Sequence, residues 1–282
     1  MSELRRPRVG HIEFLNCVPI YWGLMRSGAL LDVDLTRASP VALNDALVAG
    51  ELDIAPISLV EYLRHAEDLV LLPGVAVGSD GPVLSVNIVH ERPLSALDGG
   101  RVALGSSSRT GVLLAQMLLT EKYGVDCEFV QAEPDVPRML EKADAAVVIG
   151  DVALRAMYEA PQRGLSVTDL GEAWRDWAGV PMVFAVWAVR REFAQKNPGQ
   201  VKAVHDAFLR SVRLCLAELD VVAEATSRWE PFDAATLAGY FRSLDFSLGE
   251  RQLTGLRAFA EKAAARGEVP PLPTEGPDLF CG

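Results

Sequence analysis

The chain has 282 residues, of which 50% are hydrophobic and 23% are charged, so its composition excludes the disordered and fibrous classes. Acidic residues outnumber basic ones by 38 to 27, giving a formal net charge of −11, which argues against a nucleic-acid groove because such a groove must neutralise phosphates. The length predicts about two domains. Four widely spaced cysteines match no metal or disulfide pattern and predict free thiols in a reducing compartment: Cys17, Cys127, Cys215 and Cys281.

The first ten residues lead directly into a predicted strand, without the apolar segment or cleavage site of a signal peptide. The longest apolar run, Val180 to Val189, is about half the length of a membrane-spanning helix. We therefore predict a cytoplasmic protein with neither a membrane nor a nucleic acid as partner.

Strands and helices alternate in the first part of the chain. Strands are predicted at 8–14, 30–35 and 53–57. Asn16 is expected to cap a helix that has Pro19 in its first turn, and Ser39 to cap a helix that reaches about Ala49. Ser58 and Glu61 have the spacing of a capping box.

The same order recurs further along the chain. A strand at 101–104, a small-residue loop at 105–110 and a helix at 111–123 are followed by a strand at 127–130, a helix at 136–143 and a buried strand that leads into a helix at Asp151. Val9 and Asp53 are 44 positions apart, and Val102 and Asp144 are 42 apart. We therefore predict two α/β lobes of similar construction.

Two long apolar segments, 83–90 and 180–189, are interpreted as strands that cross between the lobes. This interpretation assigns residues 1–87 and 184–282 to a discontinuous lobe 1 and residues 88–183 to an inserted lobe 2, with a ligand cleft between them. Amphipathic patterns after Asn197, at 233–241 and at 249–265 predict C-terminal helices on lobe 1, followed by a proline-rich tail.

Four predicted helix N-termini are the main candidates for ligand binding: those near Asn16, Ser58, Ser108 and Asp151. Each offers unpaired backbone amides and the positive end of a helix dipole, so together they would form a receptor for a carboxylate or phosphate. The alternative is that each cap stabilises only its own helix.

Residues 106–110 combine four hydroxyls with a guanidinium at a strand-to-helix junction, which suits a carboxylate, although such loops are also common without function. They are Ser106, Ser107, Ser108, Arg109 and Thr110. Ser85 either faces the cleft or bonds to backbone within the core. His11 is expected to be a satisfied core residue, and His65 and His90 to be exposed. No nucleophile elbow, zinc-binding helix, dinucleotide fingerprint or close carboxylate pair is present, so we predict neither a cofactor nor a metal.

Five segments, in this order, resemble the chorismate dehydratase family (MqnA) of the futalosine route to menaquinone. They are GHIEFLNCVP at 10–19, LDIAPIS at 52–58, GSSSRT at 105–110, IGD at 149–151 and PMVFAVW at 181–187. The resemblance thins out after about residue 230. The Phe-Leu-Asn-x-x-Pro phrase distinguishes this pattern from that of the related dihydroxynaphthoate synthases.

The resemblance implies a two-lobed periplasmic-binding-protein-like type II fold, in which each lobe is a mixed, largely parallel sheet flanked by helices. It implies a lyase that converts chorismate, a small dianion, to 3-[(1-carboxyvinyl)oxy]benzoate and water without a cofactor. The alternatives are an enzyme like 1,4-dihydroxy-6-naphthoate synthase and a non-catalytic cytoplasmic small-anion-binding protein.

The resemblance also implies roles for individual residues. Asn16 would hold the substrate and polarise the departing hydroxyl. The 106–110 loop would bind the ring carboxylate, with the reverse orientation of the substrate as the alternative, and Ser58, Ser85, Gly150 and Asp151 would complete the binding site. Because no residue stands out as a base, the substrate's own enolpyruvyl carboxylate is our hypothesis for the proton acceptor.

Overall fold

The strands form two five-stranded sheets in the computed structural model, which describes residues 5–281. The first sheet has the order β2-β1-β3-β10-β4 and contains β1 (Arg8–Ile12), β2 (Asp34–Ala38), β3 (Ile54–Ser58), β4 (Leu69–Ser79) and β10 (Met182–Arg190). The second has the order β7-β6-β8-β5-β9 and contains β5 (Val86–His90), β6 (Arg101–Gly105), β7 (Glu128–Ala132), β8 (Ala145–Ile149) and β9 (Ser166–Asp169).

The two sheets share one topology. In the first, β1 is parallel to β2 and β3, whereas β10 is antiparallel to both β3 and β4. In the second, β6 is parallel to β7 and β8, whereas β5 is antiparallel to β8 and β9. Four strands of each sheet therefore run in one direction, and β1 and β3 occupy the same positions as β6 and β8. The similar spacing of the two halves reflects this shared construction.

Helices cover both sheets. They are α1 (Val18–Ser27), α2 (Pro40–Val48), α3 (Leu59–Arg64), α4 (Thr110–Met117, continued by a π-helical turn at Leu118–Lys122), α5 (Val136–Leu140), α6 (Gly150–Glu159), α7 (Leu170–Ala178), α8 (Arg191–Lys196), α9 (Pro198–Ala217), α10 (Leu219–Ser227), α11 (Ala234–Ser243) and α12 (Glu250–Ala265). Within residues 5–281, none of the helices combines the length and the apolar character needed to cross a bilayer.

The C-terminal helix α9 docks tightly on α1. A Cβ added at Gly23 would lie 2.6 Å from Ser211 Cα, so this contact requires glycine. The Ser211 hydroxyl accepts hydrogen bonds from the amides of Gly23 and Leu24 at 2.8 and 3.2 Å, which pairs this buried hydroxyl where the two helices meet. The C-terminal segment is thereby fixed to the first lobe.

Several sequence-based expectations about local structure were wrong. Asn16 caps no helix. It lies within a 3₁₀ turn (Leu15–Cys17), and α1 begins directly after that turn with Cys17 at the N-cap position. The second strand begins at Asp34 rather than Leu30, because residues 29–32 form another 3₁₀ turn. His90 is buried, with its ring nitrogens 2.8 Å from Arg92 O and 2.9 Å from Thr168 Oγ1.

The two apolar segments do not cross between the sheets. Strand β5 belongs only to the second sheet and β10 only to the first, so the connections run through residues 80–85 and through the segment that contains α7. The eleven-residue strand β4 was missed because Pro73-Gly74 interrupts its apolar pattern, yet an edge strand tolerates this pair. The lobe boundaries at 87/88 and 183/184 stay a prediction.

Candidate active site

The carboxyl ends of β1 and β3 in the first lobe meet those of β6 and β8 in the second. Leu15 N donates a hydrogen bond to Asp151 Oδ1 at 3.0 Å, and Val60 N donates one to Thr110 Oγ1 at 3.1 Å. Each bond joins a segment that follows a strand in one lobe to a segment that follows a strand in the other. Ligands bind at this edge of open α/β sheets, so the two contacts delimit the candidate site.

The first contact, which we call the Asn16 junction, comprises residues 14–17, 149–151, Ser85 and Tyr240. Gly150 has φ +65°, and a Cβ on it would lie 2.8 Å from the Phe14 ring, so glycine allows the two lobes to approach closely here. Gly150 N also donates to Ser85 O at 2.8 Å.

Two buried polar atoms of the Asn16 junction lack partners. Asn16 Oδ1 and the Tyr240 hydroxyl are shielded from water and have no hydrogen-bond partner among residues 5–281. Leaving such an atom unpaired costs about 1–3 kcal/mol, so a ligand that pairs with it recovers that free energy. The junction is therefore chemically prepared for a polar ligand.

Burial also perturbs the ionisable groups of this junction. It raises the pKa of Asp151 to about 6, although the hydrogen bond from Leu15 N opposes the shift. Burial likewise raises the pKa of the Cys17 thiol, which therefore stays protonated at neutral pH. A carboxyl that titrates close to neutrality is a candidate for acid–base chemistry.

The second contact, which we call the Arg109 junction, comprises Asp45, residues 58–61 and residues 108–110. The Arg109 guanidinium contacts Glu61 and lies 2.7 Å from Asp45 Oδ1. The Glu61 side chain is only 4% exposed, and its carboxylate contacts Arg109 and lies 3.3 Å from His65 Nε2. Arg109 was predicted to bind substrate; in this structure its guanidinium is paired across the lobes.

Ser58 already accepts two hydrogen bonds from protein groups, so its hydroxyl has only its hydrogen left to offer a ligand. Its hydroxyl accepts from Glu61 N at 3.3 Å, as the capping pattern predicted, and from Asn44 Nδ2 at 3.3 Å. The reciprocal half of the capping box does not form, because Ser58 N donates to Asn44 Oδ1 while the Glu61 side chain is paired with Arg109.

The serines of the 106–110 loop have separate environments. Ser108 Oγ accepts from Gly111 N at 2.9 Å and so acts as a helix cap. Ser106 is exposed and its amide donates to Ala132 O at 3.1 Å, whereas Ser107 is half-buried. The loop thus leaves the Ser106 and Ser107 hydroxyls as its most available donors.

Ser85 follows a strained residue. Leu84 has φ +63°, which is unusual for a residue with a branched side chain. The buried carboxylate of Asp169 accepts from Leu84 N at 2.6 Å and from Val83 N at 3.0 Å and thereby holds this conformation. Such strain often accompanies functional sites, and here it fixes the position of Ser85 beside Gly150.

His11 is half-buried and not fully hydrogen-bonded. Its ring stacks on Tyr21 with centroids 3.7 Å apart, while its Nδ1 has no partner in the described part of the chain. Burial lowers the pKa of His11 to about 4, so the ring is neutral at neutral pH. The expectation of a fully hydrogen-bonded histidine was wrong for this nitrogen.

Sequence reasoning missed three polar residues that shape the site: Asn44, Asp169 and Tyr240. Asp169 and Glu172 have capping spacing, and Asp169 accepts from Gly171 N and Glu172 N at 2.8 and 3.1 Å, so this pattern was available in the sequence. Asn44 and Tyr240 lie on helices far from the recognisable motifs, and no local pattern distinguishes them.

Comparison with known structures identifies the fold class of this protein. The chain is similar to the periplasmic aliphatic sulphonate binding protein SsuA of Escherichia coli, with a TM-score of 0.65 and 18% identity over 94% of this chain and 88% of that chain. The fold is thus that of the two-lobed periplasmic-binding-protein class, as predicted.

The sequence comparisons are more specific. A family described as menaquinone biosynthesis matches residues 7–265, and the chain belongs to this family. It is 34% identical over 270 residues to a chorismate dehydratase of Thermus thermophilus, covering 91% of this chain and 95% of the relative. It is 28% identical over 240 residues to a 1,4-dihydroxy-6-naphtoate synthase of the same organism, covering 82% and 83%.

Proposed function

We propose that this protein is a chorismate dehydratase, a hydro-lyase of menaquinone biosynthesis. The observation that carries the proposal is the 34% identity to a chorismate dehydratase along 91% of the chain. The identity to the naphtoate synthase is weaker, at 28% over 82%. The two unpartnered polar atoms of the Asn16 junction support a small polar ligand at the same site.

The reaction removes one water from chorismate. A ring proton passes to the acceptor, its C–H electron pair enters the ring, and the neighbouring C–O bond breaks, so that the ring becomes aromatic and the departing hydroxyl takes up one proton to leave as water. Negative charge develops on the ring carboxylate, which activates the proton through the conjugated double bond. Donors placed on that carboxylate therefore stabilise the transition state.

We assign the ring carboxylate to the 106–110 loop, with the reverse orientation as the alternative. The hydroxyls of Ser106 and Ser107 are available there, and the Arg109 charge lies nearby. The guanidinium reaches the substrate directly only if it leaves Glu61 or Asp45. The Ser58 and Thr110 hydroxyls accept hydrogen bonds from protein amides and would bind the substrate by donating their hydrogens.

We assign the ring hydroxyl to Asn16. Its buried Oδ1 is an acceptor without a donor, and a substrate hydroxyl supplies that donor. The amide NH₂ group of Asn16 offers two further hydrogen bonds for polarising substrate oxygens. Ser85, Gly150 and Asp151 belong to the same junction and would complete the site.

The proton acceptor in this proposal is the enolpyruvyl carboxylate of the substrate. Asp151 is the competing acceptor, because its carboxyl lies in the junction with a pKa of about 6. The variant Asp151→Asn separates the two: turnover within about tenfold of wild type supports the substrate carboxylate, and a loss of more than about a hundredfold assigns the base to Asp151.

The direct test is to mix the purified protein with chorismate and follow aromatic absorbance, with mass spectrometry of the product. We expect an aromatic product lighter than chorismate by one water. Thermal protection by chorismate without product would instead support a non-catalytic binding protein. Neither product nor protection would contradict both and favour an enzyme like the naphthoate synthase.

A further inference from the structure

Tyr240 is a buried residue of the Asn16 junction to which no role has been given. It lies on α11, and its side chain is fully buried. The other buried tyrosines use their hydroxyls: Tyr21 donates to Gly10 O at 2.7 Å, and Tyr62 accepts from Asp278 N at 3.2 Å. The Tyr240 hydroxyl has no partner among residues 5–281.

The surroundings of the hydroxyl place it in the candidate site. The Ser85 hydroxyl lies beside it, and the carboxyl of Asp151 and the thiol of Cys17 are close enough to act on it. Burial raises the pKa of Tyr240, the neighbouring Ser85 hydroxyl opposes that shift without meeting the geometry of a hydrogen bond, and the Asp151 carboxyl and the Cys17 thiol add to it. The phenol therefore stays protonated at neutral pH and is available as a hydrogen-bond donor.

The two unpartnered atoms of the junction are chemically complementary. Asn16 Oδ1 can only accept a hydrogen bond, while the Tyr240 hydroxyl has a proton to donate. A single ligand hydroxyl that reaches both atoms would satisfy them, because it donates its own hydrogen and accepts another on its oxygen. A carboxylate would satisfy only Tyr240, and it would meet the charge of Asp151.

We propose that the Tyr240 hydroxyl donates a hydrogen bond to the departing ring hydroxyl oxygen of the bound substrate, whose hydrogen Asn16 accepts. This inference rests on the proposed dehydratase function. As the C–O bond lengthens, negative charge grows on the oxygen, and the bond from Tyr240 strengthens. Tyr240 would therefore contribute more to the transition state than to the bound substrate.

The test compares Tyr240→Phe with the matched variant Tyr62→Phe. For Tyr240→Phe we expect kcat to fall about tenfold or more, KM to stay within about threefold, and Tm to be equal to or above that of wild type, because an unpaired hydroxyl is removed. For Tyr62→Phe we expect a lower Tm and unchanged kcat, because its hydroxyl serves only the fold.

A Tyr240→Phe kcat within about twofold of an active wild type would overturn the role of Tyr240 alone. A wild type that forms no aromatic product would overturn both this inference and the proposed function. A second measurement avoids the substitution by Phe: 3-fluorotyrosine at position 240 in the slow variant Asn16→Ala. Addition of chorismate should shift its fluorine resonance, and an unmoved resonance contradicts the contact.

Discussion

The two junctions between the lobes differ in how their polar groups are paired. At the Arg109 junction, one guanidinium contacts both Glu61 and Asp45, and Thr110 accepts from Val60 N. At the Asn16 junction, one hydrogen bond to Asp151 joins the lobes, while a carboxamide oxygen and a phenol remain unpaired.

This difference indicates that one junction stabilises the arrangement of the lobes and the other binds the ligand. At the Arg109 junction the charged groups are paired with one another, so a ligand reaches the guanidinium only by displacing a protein contact, and this junction holds the lobes together. Unpaired buried groups cost stability unless a ligand pairs them, so the Asn16 junction is where binding energy is available for chemistry. Mutations at the first should affect stability and KM, and mutations at the second should affect kcat.

The largest effect is expected at Asn16. The variant Asn16→Ala removes the carboxamide that we assign to the reacting hydroxyl, so kcat should fall by about a hundredfold to a thousandfold without loss of Tm. Steady-state kinetics with chorismate and a thermal melt measure both quantities. The exposed neighbour is the control, and Glu13→Ala should retain most of the activity. A normal kcat for Asn16→Ala would break the comparison between the junctions.

The next effect is expected at the Arg109 junction. Arg109→Ala leaves the buried Glu61 carboxylate without its main partner, which should cost about 3 kcal/mol of unfolding free energy and raise KM. Denaturant unfolding provides the first quantity. The control is Arg101→Ala, since its pair with Glu128 is exposed and should change stability by less than about 0.5 kcal/mol. Unchanged stability with abolished kcat would make Arg109 a direct substrate ligand.

The sequence identified polar residues of the Arg109 junction but did not predict how they pair. Ser58 and Arg109 were recognised as polar residues at helix starts, but pairing across the lobes depends on tertiary approach, which local patterns do not encode. The location of Asn16 at the carboxyl end of β1 was predicted correctly, but its predicted role as a helix cap was wrong. Tyr240 could not be recognised as a site residue from the sequence, because only the tertiary packing of α11 brings it beside Ser85, more than 150 positions away.

The topology was easier to predict than the lobe connections. Alternating strand and helix patterns recur at similar spacing, and this order largely determines a parallel arrangement. The strands β5 and β10 are buried on both faces and mostly apolar, so their sequences do not reveal to which sheet each belongs. Their assignment depends on register with β8 and β3, which is a property of the assembled sheet.

A smaller effect is expected from the ionisation of Asp151, which should make the stability of the Asn16 junction depend on pH. Because its folded pKa is raised to about 6 from an ordinary value near 4, its contribution to stability is fully present below about pH 4 and is lost as pH rises through 6. Allowing for partial exposure, the change should be about 2 kcal/mol. Unfolding of wild type and Asp151→Asn between pH 4 and pH 7 measures it. Parallel pH profiles for the two proteins would show that Asp151 does not carry this titration.

The smallest effect distinguishes two adjacent serines of the 106–110 loop. Ser108→Ala removes the hydroxyl that accepts from Gly111 N, so it should cost about 1 kcal/mol of stability with little change in KM. Ser107→Ala removes a hydroxyl that we assign to the substrate carboxylate, so it should raise KM a few-fold, by roughly the net worth of one charge-assisted hydrogen bond, and leave Tm unchanged. Melting curves and chorismate kinetics on the two variants compare these effects directly. If Ser108→Ala raised KM and Ser107→Ala lowered only Tm, the division between structural and ligand-binding hydroxyls would run the opposite way within this loop.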